Sequence, residues 1–487
     1  MYKNLSLIAL LTLSLNSFAD QEIPKRALKT NNQEVYNKLP GEAENFSEMF
    51  SEGEFYGRIR SNNFYFRWDN EDAKHSVHLV SALGASFVYK SATYADFDFS
   101  TALYASQAFF DDKNSPIAHL KPGKDVLSRY DYSNTGNKSM ATFAQAYLRY
   151  RGIADSEIIL GRQIVETFYT KSNDTKMIPN TFDGIVLGTK ALDKTSIKLA
   201  YLAEQKLRDH TQAHSVLMYG DSNASSSNKP NWSNNDDAAM HRGLTYTALK
   251  AAGKPTDAPL IVADASSKAF ANHKLNASFY MVPELLSQMM LEANYKFNFD
   301  GFSLSPGFRY IKQFDNGAGE VGGASYTGNS TGYKNPESLD SQMIAARLVS
   351  KIQNYKINLG YSNILDEADL ITPWRGFPTA GYTRSMGRYN WRANTQSYRL
   401  EMQRNANKKG IYKDLFIQAS ILYTDADEEK IGYHSLDEVF YYLGFVQNVP
   451  SLVNLQWRLR LGYATYLDSD DSDFNNLDAR FELNYLF

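Results

Sequence analysis

The sequence predicts a transmembrane antiparallel β-barrel on three observations: an N-terminal export signal, no later apolar run long enough for a membrane helix, and two-residue alternation of polar and apolar side chains over most of the rest. Composition narrows the function classes. The 487 residues carry 51 Lys and Arg against 54 Asp and Glu, which excludes a nucleic-acid-binding charge excess and a strongly acidic tail. With 33 Tyr and 28 Phe at only 22% charged residues, the chain is also unlike a cytosolic enzyme of this length. Cysteine is absent, so disulfide frameworks, thiolate metal sites and cysteine nucleophiles drop out.

Residues 1–19 read as a cleaved secretory signal. Lys3 supplies the basic start, Leu5 to Leu15 the apolar run, and Ser17-Phe18-Ala19 the small-residue cleavage rule. The run is too short to span a bilayer uncleaved. Residues 20–53 are expected to precede the barrel on the periplasmic side, with Glu42 to Phe50 suited to a short amphipathic helix and too little chain for a plug domain. The barrel itself is assigned to 54–487.

Alternation is cleanest at the C-terminus, where Asn476, Asp478, Arg480, Glu482 and Asn484 oppose Leu477, Ala479, Phe481, Leu483, Tyr485 and Phe487. A soluble sandwich alternates too, but export and strand number argue against it. Seventeen strands are legible: 54–68, 75–90, 93–109, 141–152, 156–164, 182–191, 195–205, 274–282, 288–299, 301–313, 340–353, 354–363, 397–406, 410–423, 435–447, 451–466 and 474–487. An outer-membrane barrel of this kind needs an even number, with long outer loops alternating with short periplasmic turns. With seventeen, the tight Asp300-Gly301 turn would face outward and the long stretch 314–339 inward. One added strand at Leu260 to Lys268 repairs every later connection, giving about 18 strands around a water-filled channel. Outer loops then fall near 69–74, 110–140, 165–181, 206–258, 283–287, 314–339, 364–396, 424–434 and 467–473. The fourth (DSNASSSNKPNWSNNDD) and sixth (DNGAGEVGGASYTGNSTG) have the polar, Gly-rich text of solvent loops.

The 18-strand count, the string SNDTKMIPNTFDG at Ser172 to Gly184 and the terminal FELNYLF together resemble an OprD-type substrate-specific outer-membrane porin. The resemblance implies that the third loop folds into the barrel and narrows it. It implies the same for the seventh loop, carrying TPWRGFPTAGYTRS at Thr372 to Ser385. It further implies carboxylate-bearing solutes guided along an arginine ladder, with no cofactor and no enzymatic step.

With apolar faces against lipid, parity places Arg58, Arg60, Arg149, Arg151, Lys198, Arg309, Arg347, Arg399, Arg458, Arg460 and Arg480 in the lumen. Guanidinium rows attract anions and hold carboxylates bidentately at any working pH. Asp96, Asp98, Glu292, Glu401, Asp414, Asp478 and Glu482 point inward by the same rule, so structural pairing within a polar lumen is the competing reading. Arg458 and Arg460 form the best pair, because their strand has no inward acid between Asn454 and Gly462. In the third loop Asn173, Asp174, Lys176 and Asn180 face the eyelet, while Met177, Ile178 and Pro179 pack to the wall; a lid that never touches solute is the bland alternative. Arg375, Arg384 and Arg388 of the seventh loop are the facing contacts.

Other chemistry is weak. Ser226 to Lys229 matches an S-x-x-K spacing without partner motifs, and the eight histidines have no metal-ligand spacing, His75 and His434 reading as interface or loop residues. No metal site is assigned. The acidic runs Asp468 to Asp473 and Asp425 to Glu429 read as solvated loops, with a lipopolysaccharide-bridging divalent cation as the alternative. Expected partners are small solutes, outer-membrane lipid and lipopolysaccharide of a Gram-negative cell, with no nucleic acid and either a monomer or a homotrimer. An adhesin presenting the fourth loop is the rival function, and a barrel hydrolase a more distant one.

Overall fold

The computed structural model describes residues 25–31, 33–69, 78–110, 126–128, 131–132, 135–172, 177–217, 241–372, 374–408, 413–430, 436–452, 454–467 and 474–487. The signal segment, His75, His434, Ser226 to Lys229, the Asp468 to Asp473 run and the centre of the fourth loop lie outside them. Two short strands, β1 (Arg26–Leu28) and β2 (Glu34–Tyr36), come first and pair only with each other. The wall follows as β3 (Glu54–Trp68), β4 (His78–Lys90), β5 (Phe97–Phe109), β6 (Ser139–Tyr150), β7 (Ser156–Gln163), β8 (Thr181–Thr189), β9 (Thr195–Lys206), β10 (Leu260–Ser267), β11 (His273–Val282), β12 (Leu286–Tyr295), β13 (Phe297–Phe299), β14 (Phe302–Asp315), β15 (Ser341–Ile352), β16 (Tyr355–Ile364), β17 (Thr395–Arg404), β18 (Leu415–Asp425), β19 (Glu438–Asn448), β20 (Leu455–Tyr466) and β21 (Asn476–Leu486). β12 and β13 pair with β14 in one register and make a single wall position. The wall therefore has eighteen positions, every neighbour antiparallel, closed by β21 against β3. Closure leaves no unpaired sheet edge, as a hydrocarbon surround demands.

The strand that parity required is β10, bonded to β9 on one side and β11 on the other. The tight turns sit where expected: Gly301 at φ 78° and Lys194 at φ 49° take the left-handed conformation a short hairpin needs. Asp96 and Asp414 depart from expectation. Both occupy turns, at φ 66° and 55°, because the strands flanking them start later than alternation suggested, and neither belongs to a wall strand.

Side-chain exposure follows the two-residue period. On β17, Tyr398, Leu400 and Met402 are about half exposed on the outside, while Ser397, Arg399 and Glu401 are buried inside. Exposed Phe297, Phe299 and Phe302 at the turn end suit the aromatic belt at a membrane boundary. No helix among the described residues is long and apolar enough to cross a membrane.

The interior is filled toward the long-loop end. One buried apolar cluster joins wall residues such as Leu202, Val262 and Tyr280 to loop residues Tyr169, Leu370 and Trp374; another seats Met177 and Ile178 against Val80, Ala82 and Tyr104. The described residues ahead of β3 form two elements. A helix forms at Phe46–Ser51, capped by Asn45, whose side chain accepts from the Glu48 amide. The preceding β1–β2 hairpin, however, lies inside the wall: Leu28 is buried and its carbonyl accepts from the inward-facing Gln456 at 3.1 Å.

Candidate functional site

Two outer loops meet across the lumen. The third (164–180) and seventh (365–394) are laced by backbone bonds, Lys171 N to Trp374 O and Gly376 N to Tyr169 O, each 2.9 Å. Glycine is required at 376, because a methyl group there would collide with the backbone of Phe168 and Tyr169. Wall residues hold both loops. Asp264 on β10 accepts from the Phe168 amide at 2.9 Å, Lys198 on β9 donates to the Glu166 carbonyl at 2.9 Å, and Tyr280 on β11 donates to the Ile371 carbonyl at 2.6 Å. The rings of Tyr169, Tyr280 and Trp374 stack edge-to-face at 4.7 and 4.9 Å, so one aromatic run joins loop, wall and loop.

At the centre of this arrangement is Arg309, on β14. Its Nη1 donates to the Pro378 and Ala380 carbonyls of the seventh loop at 2.6 and 2.8 Å, and its Nε to Glu292 Oε2 at 3.0 Å. Its guanidinium lies 4.8 Å from the Phe168 ring and 4.5 Å from the Tyr382 ring. One side chain therefore ties the wall to both loops. A cavity of about 990 Å³ opens beside it, lined among others by Lys90, Tyr147, Lys171, Lys274, Glu292 and Arg375.

The arginines expected from parity fall into groups sharing acids, Arg151 doing so from the turn after β6 and not, as expected, from a wall strand. Arg309 and Arg347 share Glu292, at 2.5 and 3.6 Å. Arg149 and Arg151 share Asp98, at 3.0 and 2.9 Å. Arg460 and Arg458 share Glu482, Arg460 in direct contact and Arg458 at 3.8 Å. Arg399 pairs with Glu401 on its own strand, and Arg480 with Asp478 at 2.5 Å. The acid serving Arg458 and Arg460 comes from the neighbouring strand, since β20–β21 register sets Arg458 opposite Glu482. Reading one strand at a time could not find it. Arg58 and Arg60 are buried at the turn end, where Arg58 donates to Asn484 Oδ1 through Nε and Nη2 at 3.1 and 2.7 Å.

From the third-loop string, Asn180 is buried at 2% exposure and its backbone N–H donates to the Ser172 carbonyl at 2.9 Å. Asn173, Asp174 and Lys176 lie outside the described residues. Arg375 lines the cavity, whereas Arg388 reaches away to Glu438 Oε2 at 2.8 Å and Arg384 stacks on Phe377 at 4.3 Å. Thus the seventh-loop arginines divide between cavity and scaffold. Sequence reading missed Glu166, Lys171 and Asp264, loop and wall groups that carry no motif, and the hairpin residues Gln33, Glu34 and Tyr36, which also line the cavity. No cluster of metal-ligating side chains occurs among the described residues.

No family model and no curated protein matches the chain in sequence. Solved structures do match it in fold. Acinetobacter baumannii OccAB2 is 16% identical with a TM-score of 0.66, covering 90% of this chain and 99% of its own. Pseudomonas aeruginosa OccK9 (OpdG) is 13% identical with a TM-score of 0.67 and the same coverage. Pseudomonas aeruginosa OpdK, solved with vanillate, is 12% identical with a TM-score of 0.65, covering 89% of this chain and 98% of its own. In fold, the chain is a closed antiparallel β-barrel of eighteen wall positions, like these solved barrels.

Proposed function

We propose that the chain is a passive diffusion channel of the Gram-negative outer membrane for small hydrophilic, carboxylate-bearing solutes, with no covalent chemistry and no energy coupling. The observation that carries this reading is the two-to-one sharing of acids by arginines. At Glu292 and Glu482, two guanidiniums face one carboxylate, so each of these groups keeps a net positive charge, whereas the Asp98 group is balanced by Glu157, 3.7 Å from Arg149. A positively charged wall draws anions in, and a second guanidinium offers the planar donor fork that a carboxylate fits. The constriction between the third and seventh loops supplies the size limit. The likeness to OpdK, solved with an aromatic carboxylate, favours the same solute class.

Reconstitution in a planar bilayer across a potassium chloride gradient tests the proposal. Discrete current steps with an anion-selective reversal potential are expected, and liposomes should swell in small organic acids. A folded barrel that passes neither ions nor solutes would refute it and favour a barrel whose outer loops bind a partner.

A further inference from the structure

The β1–β2 hairpin is the part of the chain that channel function leaves unexplained. It sits in the lumen at the turn end, opposite the third and seventh loops, and it is held by built contacts rather than by proximity. Arg26, 1% exposed, donates from Nη2 to the Gly57 carbonyl at 2.9 Å. Tyr36 packs edge-to-face on Tyr56 at 4.8 Å, and Lys90 Nζ lies 4.6 Å over the Tyr36 ring. Tyr56 donates to the Lys38 carbonyl at 2.6 Å, and Glu54 bridges Lys25 and Lys38 at 2.6 and 2.5 Å where the hairpin enters and leaves.

Its charge placement repeats the pattern of the wall. Glu34 lies between Arg26 at 3.4 Å and Arg58 at 3.5 Å, two guanidiniums to one carboxylate again, but here the carboxylate is borne by a hairpin outside the barrel wall instead of a wall strand. Asn31, Gln33 and Glu34 line the same cavity as Lys171, Arg309 and Arg375, so the hairpin bounds on one side the space that the loops bound on the other. β1 and β2 pair as strands only with each other, with three residues in each and no place in the barrel ladder. The hairpin can therefore leave without breaking a single strand pair of the wall.

We propose that the N-terminal hairpin is a second, turn-side gate of the channel, in which the Glu34 carboxylate holds the Arg58 anion position until an anionic solute takes it. This rests on the channel reading above. A tethered carboxylate competes with a solute carboxylate for the same guanidinium, which couples exit to solute charge.

Single-channel recording of the wild type, a deletion of residues 26–36 and Glu34→Gln is the test. Deletion should raise unitary conductance severalfold, and Glu34→Gln should shift the reversal potential toward anions while leaving the hairpin in place. Asn31→Cys gives a reading that does not depend on deletion, because the chain has no cysteine of its own. A negatively charged methanethiosulfonate reagent should lower anion current through Asn31→Cys and a positively charged one should raise it, with neither affecting the wild type. Unchanged conductance and reversal potential in all three variants, with heat-modifiable mobility showing folded barrels, would overturn the gate and leave the hairpin a clamp. Silence in every folded variant would refute the channel reading itself, and the gate with it.

Discussion

Replacing Arg309 by alanine should loosen the constriction without unfolding the barrel, and the size of the effect follows from its contacts. Two charge-assisted bonds to the Pro378 and Ala380 carbonyls are lost, together with stacking on Phe168 and Tyr382. At about 1.5 kcal/mol or more for each bond from a charged donor, the seventh loop loses about 3 kcal/mol of docking free energy. That raises the population of a displaced loop by about 10²-fold. Glu292 still accepts from Asn276 at 2.8 Å and Asn294 at 2.9 Å, with Arg347 at 3.6 Å, so its carboxylate is not abandoned and the wall should hold. The loop also keeps its anchors at Ile371 and Gly376, which confines the movement to the stretch near 377–383. The assay is open-channel noise and unitary conductance in a planar bilayer, where Arg309→Ala should show larger and noisier steps than the wild type. Arg309→Lys, keeping the charge but not the planar fork, should fall between. Alanine traces indistinguishable from wild type would refute the role assigned to Arg309 as the tie between wall and loops.

Three further outcomes are expected. Gly376→Ala should push the third and seventh loops apart at a cost of about 1–3 kcal/mol, seen as faster proteolysis of both loops in the intact barrel. Arg458→Ala combined with Arg460→Ala leaves Glu482 without either guanidinium, so the reversal potential should move toward cations; an unmoved potential would take these two out of the selectivity surface. His241, outside the strands, donates from Nε2 to the Gly323 carbonyl at 2.9 Å and accepts at Nδ1 from Gly243 N at 3.0 Å, an assignment that requires the neutral ring. Burial lowers its pKa to about 4. Because the folded value lies below the ordinary one, the stabilisation is fully present above about pH 6.5 and is lost as pH falls toward 4, by about 3 kcal/mol. Hydrogen-exchange protection factors at 241–250 and 319–326, each corrected for the intrinsic rate at its pH, should therefore fall between pH 7 and 4.5, and His241→Gln should abolish that dependence.

The barrel could be read from the chain because a lipid surround and a water-filled lumen impose two environments on alternate residues. The pattern of β17, Tyr398, Leu400 and Met402 outward against Arg399 and Glu401 inward, is local and survives in sequence. Even the inconspicuous β10 was recoverable, since a closed antiparallel wall fixes which end every connection must occupy. The expectation that the wall arginines face the lumen comes from the same period.

What that period could not reach is partnership. Arg458 meets Glu482 through the register of β20 on β21, and Arg309 meets Pro378 through a loop that returns across the lumen. Such contacts depend on where distant segments come to rest, a matter of closure and packing that no local repeat encodes. The hairpin shows the limit most plainly: three-residue strands carry no readable alternation, and this segment enters the lumen only because the closed wall offers Tyr56, Arg58 and Gln456 on its inner face and the Gly57 carbonyl between them. By itself, then, the sequence determined which faces meet lipid and water and how many times the chain crosses. The tertiary structure decided which charges pair and which segments narrow the channel, because those depend on distances that exist only once the barrel has closed.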